Sequence, residues 1–177
     1  VPCRLIVVDD CSDAHTAGML RELVAASSDA VDARYLRNEQ NLGYLRSVNR
    51  GIREGDAPVV VLINSDTLLT PGALSRVLSG FDRDPKIGVI NPVSNWANWT
   101  RIPFPDGANI YALTDAVRRL GSGKLPDIRN ASGFFFAMRR ELIRDIGDFD
   151  EAYGFGYWEE TDFCMRALAK GWRVVVD

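Results

Sequence analysis

Long hydrophobic runs are missing from this sequence. No stretch approaches the roughly 18–20 apolar residues that a bilayer-crossing helix needs, and no charged-then-apolar leader opens the chain. The chain therefore reads as soluble. Cysteine is scarce: Cys3, Cys11 and Cys164 are odd in number and form no CxxC pair, which argues against a disulfide framework and a structural zinc site and favours a reducing compartment. Histidine is nearly absent. His15 stands four residues after Cys11, a helical ligand spacing, but no second pair completes a zinc site. Basic clusters are missing too: the net charge is −3, the isoelectric point is about 5.2, and the scattered Lys and Arg give no field for a nucleic-acid backbone. No GxGxxG follows a predicted strand, which argues against an ordinary dinucleotide-binding dehydrogenase. The absence of a glycine-rich basic loop argues against a site for a nucleoside triphosphate.

What is present is a chain of 177 residues, 46% of them apolar, enough to bury the core of one domain. Val- and Ile-rich runs alternate with segments of helical period, the pattern of βαβ units and a mainly parallel sheet. Strands are predicted over 4–9, 33–37, 58–63, 87–91, 133–138 and 173–176. The run PVVVLI at 58–63, apolar without alternation, predicts a central strand covered on both faces. Leu20, Leu23 and Val24 mark the inner face of a first helix, and Leu45, Val48 and Ile52 that of a second ending near Gly55. Thr70 followed by Pro71 predicts a capped helix start, with the helix ending at Gly80. A short helix closes near Ile146, and another runs from about Glu159 to Lys170, stopped by Gly171. Between Pro92 and Pro126 the pattern dissolves into a long excursion with a short helix over 115–120. Trp96, Trp99 and Tyr111 fall there, either lining a groove or forming a satellite core, with the core favoured for at least one tryptophan. Asn98-Trp99-Thr100 and Asn130-Ala131-Ser132 match the glycosylation acceptor pattern, which matters only in a secreted chain. Both ends are expected to be cut from something longer.

Acidic residues end two of the strands. The first runs into Asp9-Asp10-Cys11-Ser12-Asp13, the third into Asn64-Ser65-Asp66. In open α/β sheets ligands sit beyond the carboxyl ends of strands, but an Asp or Ser there also caps the next helix. For Ser12 or Asp13 capping is the stronger reading. It suits Asp66 less, because Thr70 is the expected cap; an acid ending a buried strand needs a partner, and a divalent cation bridging to a phosphate is one. A third cluster, Glu159, Glu160 and Asp162, opens the last helix, where the helix dipole favours carboxylates. It follows a glycine-aromatic loop containing Gly154, Gly156 and Tyr157, suited to a sugar.

These stretches together carry a resemblance. "LIVVDDCSD", "NEQNLGYLRSVNRGI", "VLINSDTLLTPGAL", "ASGFFFAMRREL" and "GDFDEAYGFGYWEETDFCMRALAKGW" resemble, in order and spacing, the motifs of the family 2 glycosyltransferases. The resemblance implies a GT-A fold: a mixed, mainly parallel α/β sheet flanked by helices, here as a single catalytic domain over 1–177 without the family's first strand and C-terminal part. It implies inverting transfer of a sugar from a nucleoside-diphosphate donor to an acceptor hydroxyl, in polysaccharide or cell-surface glycan synthesis. Asp10, with Asp9 beside it, takes the place of the base contact, and Asn41 and Gly43 that of the loop along the nucleotide. Asn64, Ser65 and Asp66 stand at the DxD position, with Asp66 and Asn64 as ligands of Mg2+ or Mn2+. Gly133 flanks the sugar pocket. Glu160 matches the general base, with Glu159 and Asp162 beside it. The implied partners are the donor and a glycan, lipid-linked or other hydroxyl acceptor, with a cytoplasmic location at or near the membrane surface. Asn64 replaces the first acid of the metal motif, Glu160 replaces an aspartate, and His15 is misplaced for the family's late histidine. A non-catalytic nucleotide- or sugar-binding module, or an inactive fragment, is the alternative.

Overall fold

The computed structural model describes residues 3–27, 31–97, 100–121 and 123–177. They form two compact units, one from the first 57 residues with 148–159, the other from 58–147 with 160–177.

In the first unit, β1 (Cys3–Asp9) and β2 (Val31–Arg37) pair in parallel, with Asp9 opposite Arg37. Helix α1 (Ala14–Ala25) starts at the Asp13 cap, whose carboxylate accepts the His15 and Thr16 backbone N–H groups. Its predicted inner face is corrected: Ala17 is the residue buried, whereas Leu23 is 61% exposed. The apolar run at 4–9 predicts a buried strand, but Leu5 of β1 is exposed. Helix α2 (Tyr44–Glu54) is the amphipathic helix its sequence predicts, with Leu45 and Ile52 buried. Asn49 is also fully buried. Its side chain donates to the Phe149 carbonyl at 2.8 Å and accepts the Phe149 N–H at 3.2 Å. That reciprocal pair joins the segment beginning at Asp148, including a 3-10 turn at Glu151–Tyr153, to the helix.

The second unit carries β3 (Val59–Ile63), β4 (Ile87–Asn91), β5 (Phe135–Arg139) and β6 (Arg173–Val176) in the order β3-β5-β4-β6. The β3/β5 and β4/β5 ladders are antiparallel and β4/β6 is parallel, so the sheet is mixed. The central placement expected for 58–63 is corrected. Among the described residues β3 lies at the sheet edge, half-buried, with Ile63 exposed. An unbroken apolar run records side-chain burial; it does not say which neighbours supply the ladder hydrogen bonds. In β5 the alternation is clean. Phe135 and Ala137 join Val77 and Phe81 of helix α3 (Ala73–Phe81), and Ile87, Ile90 and Val175, in one core. Phe136, from the other face, meets Phe163 edge-on at 5.8 Å.

Helix α3 does not start at a Thr70 cap. The Thr70 carbonyl accepts the Ala73 N–H at 3.1 Å, and Gly72 has φ 81° and ψ −3°. Thr-Pro-Gly-Ala is therefore a type II turn, with proline and glycine at the positions that turn favours, and the helix begins after it. The excursion contains α4 (Ile110–Leu120), longer than predicted because Asn109 caps it through Tyr111 and Ala112. Trp96 is 78% exposed with the Arg101 guanidinium 4.8 Å from its ring, so it is not core; Tyr111 is exposed too. Trp99 and Asn98 lie outside the described residues. Asn130 is half-buried and donates to Thr161 at 2.9 Å. Helix α5 (Arg140–Ile146) follows β5 directly, and α6 (Glu159–Ala169) ends at Gly171, φ 83°. Among the described residues no helix is long and apolar enough to cross a membrane.

Candidate functional site

At the end of β1 both acids are engaged by the protein itself. Asp9 is buried: Oδ1 accepts the Ser12 N–H at 2.8 Å, and Oδ2 accepts the Tyr35 hydroxyl and the Arg37 guanidinium. Burial alone would raise its pKa, but the Tyr35 hydroxyl, Ser12 and Arg37 outweigh burial and hold the carboxyl far below the usual carboxylate range. Asp10 is half-buried. Its Oδ1 accepts Asn38 Nδ2 at 2.7 Å and the Leu42 N–H at 2.8 Å, and its Oδ2 accepts the Gly43 N–H at 2.8 Å. Against the cost of burial, those donors lower its pKa as well.

Asn38 completes this cluster and was not singled out from the sequence. It is 1% exposed; its backbone N–H donates to the Asp9 carbonyl at 2.8 Å, its Nδ2 also reaches Ser47 Oγ at 2.9 Å, and its Oδ1 accepts from Arg50. Gly43 caps α2 with φ 82°, and a Cβ there would lie 2.9 Å from the Phe155 ring, so backbone sign and clearance both require glycine. Asn41 is exposed, its Oδ1 accepting the Gly43 N–H at 3.1 Å.

The β3 end behaves differently. Asn64 donates its backbone N–H to the Phe134 carbonyl at 3.0 Å, and its own carbonyl accepts the Thr67 N–H at 3.0 Å. The Thr67 hydroxyl also donates to Phe134 O at 3.1 Å. The turn is thereby fixed beside Gly133, which precedes β5 instead of starting it. Ser65 and Asp66 are exposed, and the Asp66 carboxylate neither accepts a hydrogen bond nor pairs with a cation among the described residues. No cluster of three or more His, Cys, Asp or Glu suited to a metal occurs among the described residues, His15 and Cys11 included. A single free carboxylate beside an amide oxygen offers hard oxygen donors, which suits an ion shared with a diphosphate better than a closed protein cage.

At the start of α6 the three acids separate. Glu159 is 4% exposed, and its Oε2 has no hydrogen-bond partner among the described residues. It follows a loop in which Gly156, Tyr157 and Trp158 have φ of 134°, 71° and 78°, the two aromatics exposed. Non-glycine residues in that region are strained, a feature that concentrates at functional sites. Glu160 is half-buried. Asp162 is paired at 2.7 Å with Arg166 one turn along, a helix-stabilising contact. Burial pushes the Cys164 thiol up to about 12, so it is no nucleophile at neutral pH.

A mixed α/β fold with acids closing its strands and opening its last helix defines a class, and sequence comparison supplies the family. The model of the family described as Glycosyl transferase family 2 matches residues 2–147, and the chain belongs to that family. Poly-beta-1,6-N-acetyl-D-glucosamine synthases of Staphylococcus epidermidis and of Staphylococcus aureus strain COL are each 22% identical over 171 residues, 97% of this chain and 38% of theirs. The chain thus spans well under half the length of these relatives. Among solved structures, a mannosyltransferase from Pyrobaculum calidifontis in complex with GDP-Man and Mn2+ superposes with TM-score 0.69 at 18% identity, covering 98% of this chain and 47% of that one. GalNAc-T7 with UDP, GalNAc and Mn2+ gives 0.74 at 15% identity, over 98% and 36%. Staphylococcus aureus TarS 1-349 with UDP-GlcNAc gives 0.65 at 17%, over 98% and 46%. The shared fold is GT-A.

Proposed function

We propose that the protein transfers a sugar, with inversion, from a nucleoside-diphosphate sugar to the hydroxyl of a glycan or lipid-linked acceptor, in cell-surface polysaccharide synthesis at the cytoplasmic side of the membrane. Family membership supports the reaction class. Neighbours of the same fold hold GDP-Man, UDP with GalNAc, or UDP-GlcNAc, which supports a nucleoside diphosphate and leaves base and sugar open. The observation that carries the reading is Asp66, an exposed carboxylate without a partner among the described residues, on a turn fixed by Phe134.

Asp66, with the amide oxygen of Asn64, would hold Mg2+ or Mn2+, which as a Lewis acid offsets charge on the departing diphosphate. Glu160 accepts the proton of the acceptor hydroxyl as its oxygen attacks the anomeric carbon and the bond to the diphosphate oxygen breaks. Tyr157 and Trp158 offer exposed faces on which a sugar ring can rest.

The test separates binding from turnover. Calorimetric titration with UDP, dTDP and GDP, with and without Mn2+, should yield metal-dependent binding of one of them. Glu160→Gln should lower turnover by about 10²–10⁴-fold with nucleotide affinity nearly unchanged. Asp66→Ala should lose the metal-dependent part of the affinity. Equal loss of affinity in both variants would overturn the assignment, and retained affinity with no product from any donor would favour a binding module.

A further inference from the structure

Resting on the reading of Asp66 as a ligand of the ion, we propose that Asn91 is a positioning residue: from the end of β4 it fixes, through β5, the turn that presents Asp66. Asn91 is 0% exposed, and its side chain uses all of its hydrogen-bonding positions. Nδ2 donates to the Ser132 carbonyl at 2.9 Å and to the Phe135 carbonyl at 2.5 Å, and Oδ1 accepts the Ser132 N–H at 3.1 Å and the Thr100 hydroxyl at 3.4 Å. The sequence explains why a side chain is needed there. The β4/β5 ladder pairs Val89 with Met138 and Ile90 with Ala137, and the same register sets position 92 opposite Phe135. Pro92 has no N–H for the Phe135 carbonyl, so Asn91 supplies one. Successive carbonyls along a strand point to opposite neighbours, and β5 lies between β4 and β3. The Phe135 carbonyl therefore meets Asn91, while that of Phe134 turns to the β3 side and accepts both the Asn64 N–H and the Thr67 hydroxyl. Asn91 thus grips Ser132 and Phe135, on either side of the carbonyl that anchors the 64–67 turn.

The role is tested with Asn91→Ala, Thr67→Val, the double variant Asn91→Ala with Pro92→Ala, and Leu142→Ala. The last opens a cavity at a fully buried position of α5, beyond the opposite end of β5 from Phe134. Amide hydrogen exchange at Asn64 and Thr67 is followed without ligand, and UDP, dTDP and GDP are titrated with and without Mn2+. Asn91→Ala should quicken exchange at Asn64 about tenfold and weaken the Mn2+-dependent affinity by a similar factor, with metal-free affinity unchanged within about twofold. Thr67→Val, which removes the hydroxyl at the other end of the link, should weaken the same affinity by a smaller factor. Adding Pro92→Ala returns an N–H to position 92 and should recover part of what Asn91→Ala loses. Leu142→Ala should lower the unfolding midpoint and change neither exchange at Asn64 nor affinity. An Asn91→Ala protein that unfolds earlier yet keeps the parent's exchange at Asn64 and its Mn2+-dependent affinity would overturn the proposal, because Asn91 would then serve stability alone. Should Asn91→Ala not fold, the same quantities are read in Asn91→Ser, and failure of both to fold overturns the proposal by making Asn91 a requirement of the whole sheet. A parent protein that binds none of the three nucleotides with Mn2+ refutes the reading of Asp66 and this role with it, while the exchange rates show separately whether the link exists.

Discussion

The ends of β1 and β3 carry the same sequence signal, an apolar strand running into acid, and the structure uses it in opposite ways. At Asp9 and Asp10 the oxygens are covered by Ser12, Tyr35, Arg37, Asn38, Leu42 and Gly43. At Asp66 the carboxylate has no donor among the described residues, and only the backbone of its turn is fixed. A carboxylate whose donors come from its own chain shapes that chain. One whose turn is rigid but whose oxygens are open is free to take a ligand. Burial separates the two cases: Asp9 is 2% exposed, and an ion so placed must be paired, whereas Asp66 lies in water and carries no such demand.

The largest effect that could break this contrast lies at Asp9. Asp9→Ala leaves the Ser12 N–H and the Tyr35 hydroxyl without their acceptor, and should cost about 3 kcal/mol in denaturant unfolding. The pH dependence follows the same cause. Because the folded pKa of Asp9 is depressed, its contribution is fully present above the unfolded value of about 4 and is lost as pH falls toward the lower folded value. An Asp9→Asn variant should therefore be less stable at neutral pH yet show a flatter decline below about pH 4. A decline as steep as the parent's would mean that the network is not what acid breaks.

Asp66→Ala is the mirror experiment. Unfolding free energy should stay within about 0.5 kcal/mol of the parent, as for exposed sites generally, while metal-dependent nucleotide affinity drops about tenfold or more. A loss of stability comparable with that of Asp9→Ala would erase the contrast between the two ends.

Much of the local structure was legible because it is local. Leu45 and Ile52 at helical spacing gave α2, the acids and Gly171 bracketed α6, and Asp13 caps α1 as its residue type suggests. The place of β3 was not legible, since ladder partners distant in sequence decide it. The thirteen-atom logic of helices also missed Thr70, where proline and glycine make a turn before the helix can begin. At the site, the positions of the acids were readable and their occupancy was not. Whether Asp10 looks outward or inward depends on Asn38, Leu42 and Gly43, all delivered by the next strand and loop. Asn49 was equally unread: it lies on the apolar stripe of α2, and its partner Phe149 stands 100 residues away in the chain.

The smallest effect sharpens the comparison at its third acidic cluster. Asp162 and Arg166, 2.7 Å apart at i,i+4 on α6, form the pair that most clearly belongs to the helix. Removing the acid should cost only about 0.3–0.5 kcal/mol, because such pairs are partly solvated and two flexible side chains must be ordered to make them. Asp162→Ala should accordingly leave turnover and nucleotide affinity unchanged within about twofold, beside the loss of orders of magnitude expected of Glu160→Gln. The result bears on more than one residue. If turnover falls with Asp162→Ala while the unfolding midpoint does not move, an acid satisfied within its own helix is also serving the substrate. Internal satisfaction would then no longer mark off structural carboxylates from those that serve the substrate.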